Sequence, residues 1–314
     1  MTDKKCLDQK FSTTRLVTTE IIMFENCSDA AYKPAVASTD TQSKEEGGLR
    51  TQGYFKTSQT GKPLVTVVTV VFNGDEFLEE TILSVINQDY DNVEYLIIDG
   101  GSSDMSLEII RQYQHAIDYW VSEKDEGIYD AMNKGIDLAA GDWINFMNCG
   151  DSFYSNKVFS DIEFSSRSSC VLYGLTNLIY SKSLSKIVDP VSVDLKKDMP
   201  FVHQSSFVKA SVMKSNQFNR NEFSLIADRN FFLTIANQDE VFEKLDLVVS
   251  NSDVFGISSV FSFKMEWEQI ILGFRFNKIY MLIYMCKMPV RLLKHAIKQI
   301  LPLSIANQIR SRVG

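Results

Sequence analysis

Residues 64–72, LVTVVTVVF, form an uncharged run dominated by β-branched side chains. Such a run suits a strand buried on both faces of a parallel sheet. Phe77, Ile82, Val85 and Ile86 follow at spacings that share one side of a helix over 77–87. The same alternation then repeats. VEYLIID (93–99) reads as a second buried strand and 105–113 as a helix. IDYWVS (117–122) reads as a third strand, 129–139 as a helix and DWINFM (142–147) as a fourth strand. Strands alternating with helices predict an α/β domain with a mainly parallel sheet and right-handed crossovers.

After Tyr154 the alternation weakens. CVLYG (170–174) and TNLIYS (176–181) predict a β-hairpin turning around Leu175, and 189–204 an irregular segment with two prolines. A helix over 225–237 and a strand over 245–250 close the domain. Residues 1–46 are polar, with one short apolar patch at 21–24, and are expected to form a mostly disordered arm. The domain then spans 47–262, with a first half over 64–154 and a second over 155–262, and 263–314 form a tail.

Composition narrows the picture. The 314 residues, 45% of them hydrophobic, can bury a substantial core. Five cysteines without a C-x-x-C pair argue against a disulfide framework or a structural zinc site. With no secretory leader pattern, they fit a reducing, cytoplasmic setting. The net charge is −8, yet no acidic residue follows Glu268, while eight basic residues do. An acidic body does not suit nucleic acid; a basic, apolar tail suits an anionic surface.

In open α/β sheets ligands bind beyond the carboxyl ends of the strands, so the residues that follow each strand carry the candidate chemistry. They are Asn73–Gly74, then DGGSSD (99–104), SEKDEG (122–127) and NCGD (148–151). Ser102, Ser103 and Asp104 have a local reading as helix caps. Asp99 ends a buried strand and needs a partner, which a ligand ring N–H would supply. Asp151 offers a hard oxygen to Mg²⁺ or Mn²⁺, with ligand phosphates and water completing the shell; capping a helix near Phe153 is the alternative.

VTVVTVVFNG, IIDGGSSD and GDWINFMNCGD, in that order, resemble the nucleotide-sugar-binding elements of the family 2 glycosyltransferases, which have the GT-A fold. DEGIYDAMNKGI (125–136) and GLRTQGYFK (48–56) are similar to the bacterial subgroup that builds colanic-acid-like and other surface polysaccharides. The resemblance spans residues 47–260. It implies that Phe72 and Asn73 bind the base, that Asp99 takes its ring N–H, and that Asn148 bonds the ribose. Gly100 stands in place of a second acid; Asn133 matches a helix element whose usual Arg is Met132. Asp151 keeps the metal-binding carboxylate, and His203 is a second candidate for metal or phosphate. Asp125, Asp130 and Gln204 are candidates for sugar or acceptor contact. Asp228, in SLIADRNFF (224–232), matches the catalytic base of inverting members.

The implied activity is inverting, metal-assisted transfer of a sugar from a UDP- or GDP-linked donor to a lipid-linked glycan, on the inner face of the cytoplasmic membrane. Lys287, Arg291, Lys294 and Lys298 line one stripe of a helix beside Val290, Leu293, Ile297, Ile300 and Leu301. That pattern predicts an amphipathic helix lying on anionic lipid over 287–301. A nucleotidyltransferase on a similar sheet would want a Gly- and Lys/Arg-rich loop after the first strand, which Asn73–Gly74 is not. A non-catalytic nucleotide-sugar-binding protein is the other alternative, and the retained Asp228 argues against it.

Overall fold

A computed structural model describes residues 4–19, 44–190, 194–254 and 262–300. The four predicted strands are present as β4 (Val65–Val71), β5 (Val93–Asp99), β6 (Tyr119–Ser122) and β7 (Trp143–Phe146). They lie parallel in the order β6-β5-β4-β7. Helices α1 (Asp75–Ile86), α2 (Ser106–Tyr113) and α3 (Ile128–Leu138) connect them. The chain steps outward from β4 to β6 and then returns to place β7 on the other side of β4, so the strand order reverses at β4. Such a reversal opens a crevice at the strand ends.

Both faces of this sheet are covered, which explains the unbroken apolar runs. Val65, Val67, Tyr95, Ile97 and Trp143 pack with α1 residues Leu78, Ile82 and Val85. Val68, Val70, Leu96, Ile98, Ile144 and Phe146 face the other way, toward Met132 and Ile136 of α3 and Phe231 and Phe232. The last two lie on α5 (Ala227–Asn237), which follows the short α4 (Ala210–Ser215). Gly135 of α3 is a close-approach residue, because a Cβ there would meet Val68 Cγ1 at 2.4 Å.

The second half extends the sheet past β7 through antiparallel β11 (Ser206–Lys209) to β9 (Val171–Ser181) and β12 (Phe242–Asp253), with β8 (Ser152–Phe153) at the edge. The hairpin expected around Leu175 is not formed; β9 runs straight through it and turns only at Ser181, to pair with β10 (Leu184–Val188). Gly174 is a packing residue instead of a turn. A Cβ there would sit 2.5 Å from the Leu247 carbonyl oxygen, where β12 crosses close beside β9. No helix begins near Phe153, which lies in β8, so Asp151 caps none.

Part of the polar arm is packed. Residues 4–19 form a two-stranded piece, β1 (Lys4–Lys5) and β2 (Val17–Thr18), with Phe11 and Val17 buried. Ser12 and Thr13 are buried too, their hydroxyls donating to the carbonyls of Val85 and Ala116. The apolar patch at 21–24 lies outside the described residues. Residues 45–47 add β3 antiparallel to β6.

GLRTQGYFK supplies two buried cations at the amino ends of the strands. Arg50 pairs with Glu94, and Lys56 bonds Asp118 at 3.0 Å as well as the Val93 carbonyl. Asp118 in turn accepts the Tyr95 N–H, while Glu94 accepts Thr66 and the Ala140 N–H. This stretch locks the end of the sheet opposite the crevice.

The tail forms α6 (Phe263–Phe276) and α7 (Lys278–Ile300). Among the described residues no helix is long and apolar enough to cross a membrane. Arg291, expected in a free basic stripe, turns inward: its guanidinium bonds Glu266 at 2.9 Å and lies over the Tyr284 ring. The side chains of Leu293, Lys294, Ile297, Lys298 and Ile300, with Leu301, lie outside the described ones.

Candidate active site

The loops after β4 and β5 are zipped together. Asn73 sits at φ 51°, a left-handed conformation that asparagine tolerates better than most residues. Its Oδ1 accepts the Ser103 N–H at 2.8 Å, and its own N–H donates to Ser102 Oγ at 2.7 Å. Asp104 accepts the N–H groups of Asp75 and Ser106, joining the starts of α1 and α2. Ser102, Ser103 and Asp104 therefore do not cap α2 as expected, since the helix starts only at Ser106 with Met105 as its N-cap; they clamp two loops instead. Phe72 remains 65% exposed at the crevice mouth, a bare ring at the end of a buried strand.

Asp99 is fully buried, and its carboxylate is already in use. Oδ2 accepts the N–H groups of Gly101 and Ser102 and the Ser122 hydroxyl, and Oδ1 accepts the Ser102 hydroxyl. Its partners are therefore the chain's own turn and the next strand. Beyond β6, Asp125 Oδ1 accepts the Gly127 N–H at 2.9 Å.

On the other side of β4 a second group converges. Asn148 ends β7's run; its amide nitrogen lies 3.2 Å from His203 Nε2. His203 Nδ1 faces Asp228 Oδ2 at 3.2 Å, and the Tyr129 hydroxyl donates to Asp228 Oδ1 at 2.7 Å. Asp228 stands in the first turn of α5. Burial works to raise its carboxyl, but the hydrogen bond and charge of His203, with the Tyr129 hydroxyl, outweigh burial and hold it below the usual carboxylate range. Burial and the Asp228 charge push the Tyr129 hydroxyl far up, so it stays a donor.

Asp151 lies next to this group. Gln204 Nε2 donates to its Oδ2 at 2.5 Å and Ser252 Oγ to its Oδ1 at 2.8 Å. Burial raises its carboxyl, opposed by Ser252, the His203 charge and Gln204. The structure thus brings Asn148, Asp151, His203, Gln204 and Asp228 together, from β7's end, the turn at 203–205 and α5.

Other predicted residues are placed elsewhere. Asn133 clamps the Phe218 backbone, its amide donating to the carbonyl and accepting the N–H, both at 2.9 Å. Asp130 accepts the Glu126 N–H and two cations, Arg220 and Lys134. Two contributors carried no sequence signal as site residues. Tyr129 lay unremarked within the DEGIYDAMNKGI motif. Glu268, 3% exposed on α6, accepts the N–H groups of Ser224, Leu225 and Ile226, the segment that leads into Asp228.

The donor set can be tested against a divalent ion. Among the described residues no group of three or more His, Cys, Asp or Glu could hold a metal. However, Asn148 Oδ1 and Gln204 Oε1 are buried here without a hydrogen-bond partner. Two orphaned neutral oxygens beside one carboxylate and one imidazole fit a hard cation whose shell is completed by phosphate and water. They do not form an all-protein cage.

The sequence profile of glycosyl transferase family 2 matches residues 66–163. An uncharacterised glycosyltransferase of Mycobacterium tuberculosis is 32% identical over 187 residues, covering 56% of this chain and 70% of that protein. TuaG of Bacillus subtilis, a glycosyltransferase assigned to teichuronic acid biosynthesis, is 31% identical over 112 residues, 35% of this chain and 44% of its own. Staphylococcus aureus TarS in complex with UDP-GlcNAc shares the fold with a TM-score of 0.53 at 15% identity, over 67% of this chain and 65% of that one. The mannosyltransferase PcManGT of Pyrobaculum calidifontis, solved with GDP-Man and Mn²⁺, gives 0.52 at 14% identity over 81% and 76%. An α/β sheet with a crevice at its reversal point, lined by an acid-bearing constellation, is that of a GT-A glycosyltransferase. The chain belongs to glycosyl transferase family 2.

Proposed function

We propose that the enzyme transfers a sugar, with inversion, from a UDP- or GDP-linked donor to a lipid-linked surface glycan. The observation that carries this reading is the continuous set of contacts from Asn148 through His203 to Asp228, with Asp151 alongside. In this reading Phe72 and Asn73 receive the base and Asn148 the ribose. Asp228 takes the proton of the acceptor hydroxyl; that oxygen attacks the anomeric carbon, and the bond to the diphosphate breaks with its electron pair leaving on the nucleoside diphosphate. Tyr129 and His203 hold both carboxylate oxygens of Asp228 in place and keep it ionised. Asp151 and His203 would hold Mg²⁺ or Mn²⁺, which when bound supplies positive charge to the leaving diphosphate. Gln204 fixes Asp151 and so acts at the same end of the site. The UDP-GlcNAc and GDP-Man named with the two structural neighbours support a nucleotide-sugar donor without choosing between them.

The membrane part of the reading is supported by exposed apolar rows on both tail helices. On α6 they are Phe263, Trp267 and Phe274, and on α7 Ile279, Leu282, Ile283 and Val290, with Lys278 and Lys287 exposed nearby. Such rows beside cations suit the interface of an anionic bilayer, where a lipid-linked acceptor resides.

The testing experiment measures binding and turnover of UDP- and GDP-sugars with Mn²⁺ or Mg²⁺ in wild type, Asp151→Asn and Asp228→Asn. One donor should bind in a metal-dependent way, Asp151→Asn should lose it, and Asp228→Asn should bind without turnover. Equal turnover without Asp228 would sink the proposal.

A further inference from the structure

Strand β7 reads Trp-Ile-Asn-Phe, and its polar residue, Asn145, is 1% exposed between buried Ile144 and Phe146. An amide buried in an apolar strand costs free energy unless its hydrogen bonds are met. On the β4 side Asn145 stands opposite Val67. On the other side the antiparallel ladder with β11 pairs Lys209 with Trp143 and Val208 with Ile144, and stops there. Before β11 the chain forms the turn at 203–205 instead. Asn145 takes over where the ladder ends. Its amide nitrogen donates to the Gln204 carbonyl at 2.9 Å and to the Ser206 carbonyl at 2.8 Å. Its Oδ1 is buried without a hydrogen-bond partner among the described residues. The position therefore uses the donating end of the amide, while the acceptor goes unmet.

That turn carries two side chains of the site. His203 lies between Asn148 and Asp228, and Gln204 donates to Asp151. The turn is gripped from its far side as well. The Ser205 hydroxyl lies 2.7 Å from the hydroxyls of Thr176 on β9 and Ser250 on β12, and Ser206 Oγ donates to the His203 carbonyl at 2.7 Å. Asn145 joins this turn to the strand whose end presents Asn148.

We infer that Asn145 is a positioning residue for the transfer: by holding the 203–205 turn to β7 it sets His203 against Asp228 and Gln204 against Asp151. The inference rests on the reading of Asp228 and His203 given above and extends it to a buried residue of the sheet. Without the two donors, the carbonyls of two buried residues lose their partners, and the turn shifts to find others.

Two variants of the full-length chain test this. Asn145→Leu removes both donors, and Asn145→Asp keeps the shape but puts an acceptor where the donor stood. The chain has three histidines, so ¹H–¹³C spectra resolve the His203 ring, assigned by its loss in His203→Gln. In either Asn145 variant that folds, the His203 signal should move while that of His115 stays. In the same variant kcat should fall about tenfold to 10²-fold, the scale of an ångström-sized misplacement, and by more than the donor KM changes. Val67→Ala removes packing at the strand position opposite Asn145 and leaves the turn alone. It should lower the thermal melt with the His203 signal and kcat unchanged. A His203 signal that stays in place, a shift without loss of kcat, or equal effects from Val67→Ala each overturn the inference while the donor reading stands. If Asp228→Asn still turns over, the reading of the base fails and this inference fails with it, whatever the His203 signal does.

Discussion

Nδ1 of His203 lies 3.2 Å from Oδ2 of Asp228, while the Tyr129 hydroxyl occupies the other carboxylate oxygen at 2.7 Å. The carboxylate is thus aimed by two side chains from different elements. Asp228→Asn is expected to lower kcat by about 10²–10⁴-fold, the usual worth of a general base, with donor affinity retained. Tyr129→Phe leaves the base but frees one oxygen, so a smaller loss in kcat is expected. A kinetic comparison of the two variants checks the order; equal effects would contradict it.

Glu268 anchors the segment before α5 through three backbone N–H groups and the Ser224 hydroxyl. Glu268→Gln replaces a carboxylate oxygen with an N–H donor facing donors. A loss of about 1–3 kcal/mol in stability is expected, together with lower kcat at unchanged donor affinity. Chemical denaturation and steady-state kinetics on the same preparation measure both. A variant with native stability and full kcat would show that this anchor does not position Asp228.

Lys56 and Asp118 are both almost completely buried. Removing one partner leaves an uncompensated charge, so Lys56→Met should cost about 3–5 kcal/mol. Lys56→Met combined with Asp118→Asn should recover part of it, because the amide oxygen can still accept the Tyr95 N–H. Urea unfolding of the three variants tests this.

Cys149 sits in the crevice half-buried, its thiol donating to the Gly74 carbonyl. Burial, then the charges of Asp151, Asp104 and Asp75, push the thiol up to about 12. Only roughly 10⁻⁴ of it is ionised at pH 8, and the thiolate is the reactive form. Iodoacetamide at that pH should label exposed Cys6 and Cys286 well before Cys149, as read by peptide mass mapping.

If the tail rests on lipid, Trp267→Glu and Phe274→Glu should each abolish most vesicle binding, since burying such a ring is worth about 1.5–3 kcal/mol. Sedimentation with phosphatidylserine-containing and purely zwitterionic vesicles is the assay. Wild type should prefer the anionic vesicles, and Lys287→Glu should reduce that preference. Unchanged sedimentation of the Trp267 variant would remove α6 from the contact.

The nucleotide-binding half was legible because its strands are buried on both faces and its helices carry clear apolar sides. The second half was harder. A turn was expected around Leu175, yet the small size of neighbouring Gly174 serves the close passage of β12, a long-range fact that no local pattern encodes. Residues 4–19 read as an arm because polar residues usually face water. Ser12, Thr13 and Thr14 are buried all the same, each hydroxyl meeting a carbonyl. The structure brings the motif residues Asp151, His203 and Asp228 together, but whether a carboxylate is free or already engaged depends on three-dimensional neighbours. Asp99 and Asn133 show this most clearly: Asp99 accepts two backbone N–H groups and two serine hydroxyls, and Asn133 bonds the Phe218 backbone.

Helix α6 turns Phe263, Trp267 and Phe274 outward and Glu268 inward, onto the segment that carries Asp228. One helix therefore presents an exposed apolar row on one side and holds the segment before Asp228 on the other. If the outer row rests on a surface, as proposed, the helix that meets that surface is also the one that anchors the segment before Asp228.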